Sequence, residues 1–224
     1  MLLLVLTRHG LTPRSRPEQH LGQTIDVPLS EEGREQARAL ARRLAPVRFE
    51  RVVSSPLARA SETARIVAQP HGVPVATDDR LKEMDYGDWE GLTYEEIDAR
   101  SGPYRRRWEA DPATLPCPNG ESGNDVARRA RAFLADLLAD HVVRHGARAT
   151  EETPVLVVGH SSLNRILVCL ALDLPVREFR QRFVQSQANV TVLRFEHGDG
   201  PSDARLVLLN DIAHLRGPDE PPWE

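Results

Sequence analysis

Lysine occurs once in this chain of 224 residues, cysteine twice, and aromatic residues make up only 5%. Cys117 sits between two prolines and Cys169 inside an apolar run, so the spacing matches neither a zinc knuckle nor a redox pair. A reducing cytoplasm is the expected compartment. No apolar run reaches the length of a membrane span, and Met1 to Leu6 is too short for a signal-peptide core and has no basic segment before it. A strong charge imbalance is also missing. The formal net charge of −4 gives no reason to expect nucleic acid or an anionic membrane as a partner. Because Lys82 is the only lysine, arginine supplies nearly all the positive charge, which by itself asks for no functional explanation.

What is present is an alternation of elements. Leu2 to Leu6 runs straight into Thr7-Arg8-His9-Gly10, and about 150 residues later another apolar strand ends in Val157-Val158-Gly159-His160. Parallel strands deliver their last side chains to the carboxyl edge of a sheet, where α/β proteins bind ligands, so the two histidines are expected in one pocket. After the first strand, Thr12 to Pro28 reads as a loop forming a ligand wall. Ser30 then caps a helix with Glu31 and Glu32 in its first turn and Ala37, Leu40, Ala41 and Leu44 on its apolar face. A strand over Arg51 to Ser54 follows, then a helix opened by Pro56.

Further on, Gly123 to His145 reads as a long helix, Val155 to Gly159 as a strand and Leu163 to Leu172 as a helix, with strands at Val190 to Phe195 and Arg205 to Leu209. The pattern predicts an α/β fold, a three-layer α/β/α sandwich whose sheet is mainly parallel with an antiparallel pair near the C-terminus. No linker divides the chain. It reads as a single domain over 1–224, with a lid-like insertion at about 78–121 carrying short helices at Tyr94 to Ala99 and Tyr104 to Trp108, and a loose tail over 217–224 that includes Trp223.

An imidazole beside a guanidinium at a strand end suggests phosphate chemistry. A neutral imidazole can attack phosphorus if a backbone carbonyl holds its other nitrogen. The transferred group spreads charge over three oxygens and needs fixed cationic donors around it. Arg8 and His160 are candidates, and Arg59 in Ser54-Ser55-Pro56-Leu57-Ala58-Arg59 is the natural second arginine, although a solvated helix arginine reads the same way. A carboxylic acid must protonate the leaving oxygen. Glu83 is chosen for that role, with Asp85, Asp88 and Glu90 competing on chemistry alone.

The strings Arg8-His9-Gly10, Asp26 to Gly33, Ser54 to Arg59, Leu81 to Gly91, Gly120-Glu121-Ser122 with Asp125, Gly159-His160 and Asn210 to Leu215 come in an order that resembles the histidine phosphatase superfamily, also called the phosphoglycerate mutase-like family. The resemblance implies a phosphoglycerate mutase-like fold and a set of roles. His9 would accept the phosphoryl group, Arg8, Arg59 and His160 would form its pocket, and Glu83 would protonate the leaving oxygen and later activate water. Substrate contacts would come from Arg8, Ser15, Gly22, Arg59, Glu83, His160 and Ser161. No metal and no cofactor is implied. A zinc site at His9 and His160 is disfavoured, since the neighbouring arginines repel a cation.

The chain departs from the family pattern at Arg14 and Ser15, where tryptophan and asparagine are common, at Leu21, at Ser161-Ser162 and at Gln187-Ala188-Asn189. The Gly87-Asp88-Trp89-Glu90-Gly91 string resembles the phosphatase branch. The expected activity is hydrolysis of a small phosphorylated metabolite. Mutase-type phosphotransfer, to which Arg105, Arg106 and Arg107 would lend an anion site, and a phosphate-binding module without turnover are the alternatives. A homodimer through an edge strand is also expected. His20 reads as a surface histidine, Trp108 as pocket rim or cover, and His214 as a hydrogen-bonding residue at the sheet end.

Overall fold

The computed structural model describes residues 1–146, 150–196, 202 and 204–217. Trp223, with the tail beyond 217, lies outside them. Strands β1 (Leu2–Arg8), β2 (Arg51–Ser54), β3 (Val75–Thr77), β4 (Thr153–Gly159), β5 (Val190–Phe195) and β6 (Ala204–Asp211) form one sheet in the order β3-β2-β4-β1-β5-β6. The pairs β1–β4, β2–β4 and β2–β3 are parallel, whereas β1–β5 and β5–β6 are antiparallel. β3, with only three residues after Pro74, is held as a strand by its parallel pairing along the edge of β2.

Helices cover both faces. On one, α1 (Glu31–Leu44) and α2 (Ala58–Ala68) bury Leu40, Leu44, Ala60, Ala64 and Val67 against Val5, Val52, Leu156 and Val158. On the other, α3 (Tyr94–Ala110), α4 (Gly123–His145), α5 (Ser161–Ala171) and the single turn α6 (Phe179–Arg182) pack on Leu2, Leu4, Leu6, Val155, Val157 and Leu193. Alternate residues of β1 and β4 thus enter opposite cores, as the period of a strand buried on both faces requires. The result is the expected three-layer α/β/α sandwich.

Local signals set the helix starts. Ser30 accepts from the Gly33 N–H at 3.1 Å, a cap that stabilises a helix by about 1 kcal/mol. Thr93 and Ser122 form reciprocal capping boxes with Glu96 and Asp125. α2 starts at Ala58, two residues later than Pro56 suggests, and Leu57 gives it no side-chain cap. Its first N–H is taken by Asp26 Oδ1 at 2.7 Å, so the loop after β1 caps the helix that carries Arg59. The two short helices expected between Tyr94 and Trp108 are both there, joined into α3 across a break at Ser101, whose backbone is not helical, ahead of Pro103. From the 78–121 segment, Leu81, Met84, Trp89, Ile97, Trp108 and Cys117 all lie in the core with α4 and α5.

Candidate active site

In the β1–β4 register Arg8 faces Gly159, and the His9 N–H donates to the Gly159 carbonyl at 3.1 Å. His9 and His160 therefore leave the sheet side by side, their ring centroids 5.2 Å apart at 61°. The His9 ring lies 2.7 Å from the Gly10 carbonyl through Nδ1. A carbonyl only accepts, so Nδ1 carries the proton and Nε2 keeps its lone pair. Burial, and then Arg59 and Arg8, hold the His9 imidazole well below the usual histidine range, with only the Gly10 contact opposing. It is neutral and nucleophilic. The Thr63 hydroxyl accepts from the Gly10 N–H (3.2 Å) and donates to the Arg59 carbonyl (2.8 Å), fixing this turn to α2. A side chain at Gly10 would meet the Gly33 carbonyl at 2.5 Å, so α1 approaches the turn only because glycine is there.

His160 is fully buried and neither ring nitrogen has a partner. Burial first, then Arg59 and His9, push its ring well below the ordinary range as well. Arg59 is fully buried too. Its Nη2 donates to the carbonyls of Leu21 (3.1 Å) and Gly22 (2.8 Å), its Nη1 reaches that of Ile25 (3.4 Å), and its Nε is buried without a partner. Arg8 Nη1 donates to the Gln185 carbonyl at 3.0 Å and Nη2 lies 3.4 Å from Glu18, while Arg8 Nε is likewise buried and free. Unused donors on two guanidiniums and two neutral imidazoles surround one spot. Such a place suits a tetrahedral oxyanion.

Glu83 joins them from the turn ahead of Met84. Its Oε1 accepts from the N–H groups of Met84 (2.8 Å) and Leu163 (3.2 Å), its Oε2 from that of Ser162 (3.2 Å). The start of α5 thus receives the carboxylate where helix N–H groups are free. The competing acids separate by geometry. Glu90 accepts from the N–H groups of Gln23, Thr24 and Ile25 and from the Thr24 hydroxyl, tying down the loop that feeds carbonyls to Arg59. Asp85 accepts from the Gly87 N–H and Asp88 from Asn119.

The cavity, about 50 Å³, is lined by Arg8, His9, Ser15, Glu83 and Ser161 of the expected residues, with Arg14, Glu18, His20, Tyr86, Ser162 and Arg180 among the others. Arg59 and His160 are not on its wall: both are fully buried, His160 beside the His9 ring and Arg59 near enough for its charge to act on both imidazoles. Gly22 acts from behind: its carbonyl holds Arg59, and a side chain there would strike Glu90 at 1.8 Å. His20 is buried rather than on the surface, its Nδ1 at 3.3 Å from the Leu92 carbonyl and its ring edge-on to Tyr86 and Tyr94; burial lowers it to about 4. Trp108 is a buried cover, under Arg180. His214 Nε2 contacts the Ala188 carbonyl at 2.9 Å, at the sheet end as expected.

Arg129 and Arg180 had no mark in the sequence, and Asn189 was marked only as part of a string that departs from the family pattern. Arg129 donates to the carbonyls of Arg80, Lys82 and Glu83 and binds both oxygens of Glu121, which in turn accepts from the Asp85 N–H; together they clamp the turn that carries Glu83. The Asn189 side chain accepts from the Arg8 N–H at 3.0 Å and donates to Gln185 and Thr191. Arg180 stands on α6, a turn too short to show periodicity. The Arg105–Arg107 triplet, by contrast, contributes nothing to the cavity wall: Arg105 is bound by Asp98 and Glu109, and Arg106 and Arg107 are exposed.

A family model for the histidine phosphatase superfamily (branch 1) matches residues 4–211. Glucosyl-3-phosphoglycerate phosphatase of Mycobacterium tuberculosis is 40% identical over 173 residues, covering 77% of this chain and 76% of that one. Phosphoserine phosphatase 1 of Hydrogenobacter thermophilus is 30% identical over 215 residues, with 96% and 95% covered. The solved structure of mycobacterial glucosyl-3-phosphoglycerate phosphatase with VO3 matches with a TM-score of 0.81 and 35% identity, over 93% of this chain and 98% of that chain. The fold is the phosphoglycerate mutase-like sandwich, and the chain belongs to the histidine phosphatase superfamily, branch 1.

Proposed function

We propose that this chain is a metal-independent phosphomonoesterase that hydrolyses a small phosphorylated metabolite through a phosphohistidine on His9. As a member of a phosphatase family with phosphatases among its relatives, it is a phosphoric monoester hydrolase. The observation that carries the mechanism is the Nδ1 contact to Gly10, which leaves an unprotonated Nε2 on a ring within the field of Arg59 and Arg8.

His9 Nε2 attacks phosphorus as the ester P–O bond breaks. The leaving oxygen takes a proton from Glu83, whose Oε2 accepts a single backbone bond and so keeps room for that proton. Arg8, Arg59 and His160 hold the three equatorial oxygens as charge builds on them. Water then attacks phosphorus, Glu83 takes its proton, the N–P bond breaks and inorganic phosphate leaves. The two guanidiniums supply the positive field that a metal supplies elsewhere, and they would repel one here.

Within this reading the whole chain is one domain and the 78–121 segment is the wall that carries the acid. Two free, buried cysteines support a reducing, cytoplasmic setting. Among the described residues no helix is long and apolar enough to cross a membrane. The exposed Leu206, Val207 and Leu209 on edge strand β6 support a homodimer.

The test is acid-quench trapping with a 32P-labelled ester. Wild type is expected to carry an acid-labile, alkali-stable label, and His9→Ala to carry none while losing about 10⁴-fold or more in kcat/KM. Unchanged turnover in His9→Ala would sink the reading.

A further inference from the structure

Helix α4 carries two consecutive arginines that its phase separates. Arg129 lies three residues after Val126 and four before Phe133, both buried, so the helix turns it toward the core, whereas Arg128 is exposed and pairs with Asp125. All five N–H donors of Arg129 are taken by protein acceptors. Nη1 donates to the carbonyls of Arg80 (2.7 Å) and Lys82 (2.6 Å), Nη2 to that of Glu83 (2.9 Å) and to Glu121 Oε2 (3.0 Å), and Nε to Glu121 Oε1 (3.0 Å).

These contacts converge on the backbone around the acid. Glu121 Oε2 also accepts from the Asp85 N–H at 2.9 Å, and the Glu121 N–H donates to the Asp85 carbonyl at 2.8 Å, so the chain is held on both sides of Glu83. Gln23 adds a tie from another direction. Its Nε2 donates to the Glu83 carbonyl at 2.9 Å and lies 3.3 Å from Glu121 Oε2. Gln23 belongs to the 21–25 loop, which keeps its bonds to Glu90 whatever happens at Arg129, so Arg59 stays held independently of the clamp. Three carbonyls of residues 80–83 turned toward one side chain need a cation with several fixed donors, and a neutral or single-point substitute leaves some of them unserved.

The two contacts from α5 to the Glu83 carboxylate are both 3.2 Å long, so the turn that bears the side chain has a large share in setting how far the acid reaches. Proton transfer needs a heavy-atom separation of about 2.6–3.2 Å. A misplacement of about 1 Å costs about 10²-fold. We propose that Arg129 is a positioning residue for proton transfer, holding the 80–85 turn so that Glu83 reaches the leaving oxygen and afterwards the attacking water. The inference rests on the phosphatase reading above.

The experiment is steady-state kinetics on three aryl phosphates of similar shape, 2,4-dinitrophenyl, p-nitrophenyl and phenyl phosphate, whose leaving groups need a proton in rising measure. Because kcat/KM covers events up to departure of the leaving group, its trend across the series reads the acid. Arg129→Met is expected to lose less than about threefold on 2,4-dinitrophenyl phosphate and about thirtyfold or more on phenyl phosphate. Arg129→Lys, which keeps the charge and offers three donors to five acceptors, should recover part of that difference. In Arg129→Met dinitrophenolate should also appear in a burst matching the enzyme concentration, since the water step needs Glu83 as its base. Loosening of the fold alone would lower all three esters together. If the Arg129 variants do not fold, Gln23→Met, which removes one bond to the Glu83 carbonyl, should show the same ordering on a smaller scale. Equal losses across the series in whichever variant folds would overturn the proposal. Phosphate release from none of the three esters by wild type would overturn the phosphatase reading itself, and the positioning role with it.

Discussion

Arg59, fully buried, donates to three carbonyls of the 21–25 loop, which Glu90 in turn ties down, whereas Arg180 on the cavity wall makes one side-chain hydrogen bond. His9 follows a strand end and Arg59 stands in the first turn of a helix, and both are held by backbone carbonyls, whereas the His160 ring has no partner; the cavity wall also draws on the 12–20 loop, α5 and α6. A braced cation is pre-organised for charge that develops during reaction, so it serves any phosphoester. An unbraced one is satisfied only by a ligand, so it selects among them.

The contrast breaks most visibly at Arg59. Replacing it with Met removes charge from the transition state and leaves the Leu21 and Gly22 carbonyls without their donor. A loss of about 10²–10³ in kcat/KM, equal for phenyl and 2,4-dinitrophenyl phosphate, is expected from initial rates on the two esters. A loss confined to phenyl phosphate would mean that Arg59 acts through the acid.

Acid sharpens the comparison through stability. Burial holds His9, His160 and His20 below the ordinary histidine range, so below about pH 6.5 the unfolded chain binds protons that the folded chain refuses. Stability is full above that pH and falls as pH drops, by about 1 kcal/mol per buried histidine per pH unit, until the folded values are reached, about 4 for His20. Denaturant titrations at pH 7.5, 6.5 and 5.5 measure it. His9→Ala and His20→Gln should each flatten the slope by about one proton. A slope unchanged by either would mean that these rings are protonated in the fold.

The smallest effect belongs to Arg105, which Asp98 and Glu109 already neutralise. Arg105→Gln should change kcat/KM on 3-phosphoglycerate by less than about twofold. A tenfold loss there would mean that Arg105 reaches the substrate.

Much of this was legible from residue order. Strands β2 and β5 fall where alternation puts them, and the pairing of Arg8-His9 with Gly159-His160 places two histidines at one sheet edge because parallel strands run in step. Glu83 was separable from Asp85, Asp88 and Glu90 by family resemblance alone; what distinguishes it physically is contact with N–H groups 79 and 80 positions away. Arg129 and Arg180 stayed hidden, and the tie from Asn189 to Arg8 with them, because each acts through partners remote in sequence and one arginine among many carries no local mark. The Arg105 triplet shows the converse, a conspicuous local cluster whose first member is quenched by neighbours on its own helix.

The central pairing of β1 with β4 has a kinetic corollary. It joins segments about 150 positions apart, and closing so long a loop precedes any reward from the contact. Helices α1 and α2 can form and dock on each other while His9 and His160 are still strangers. Activity regained during refolding therefore times the closure of the middle of the sheet, and it should lag behind the recovery of helical signal.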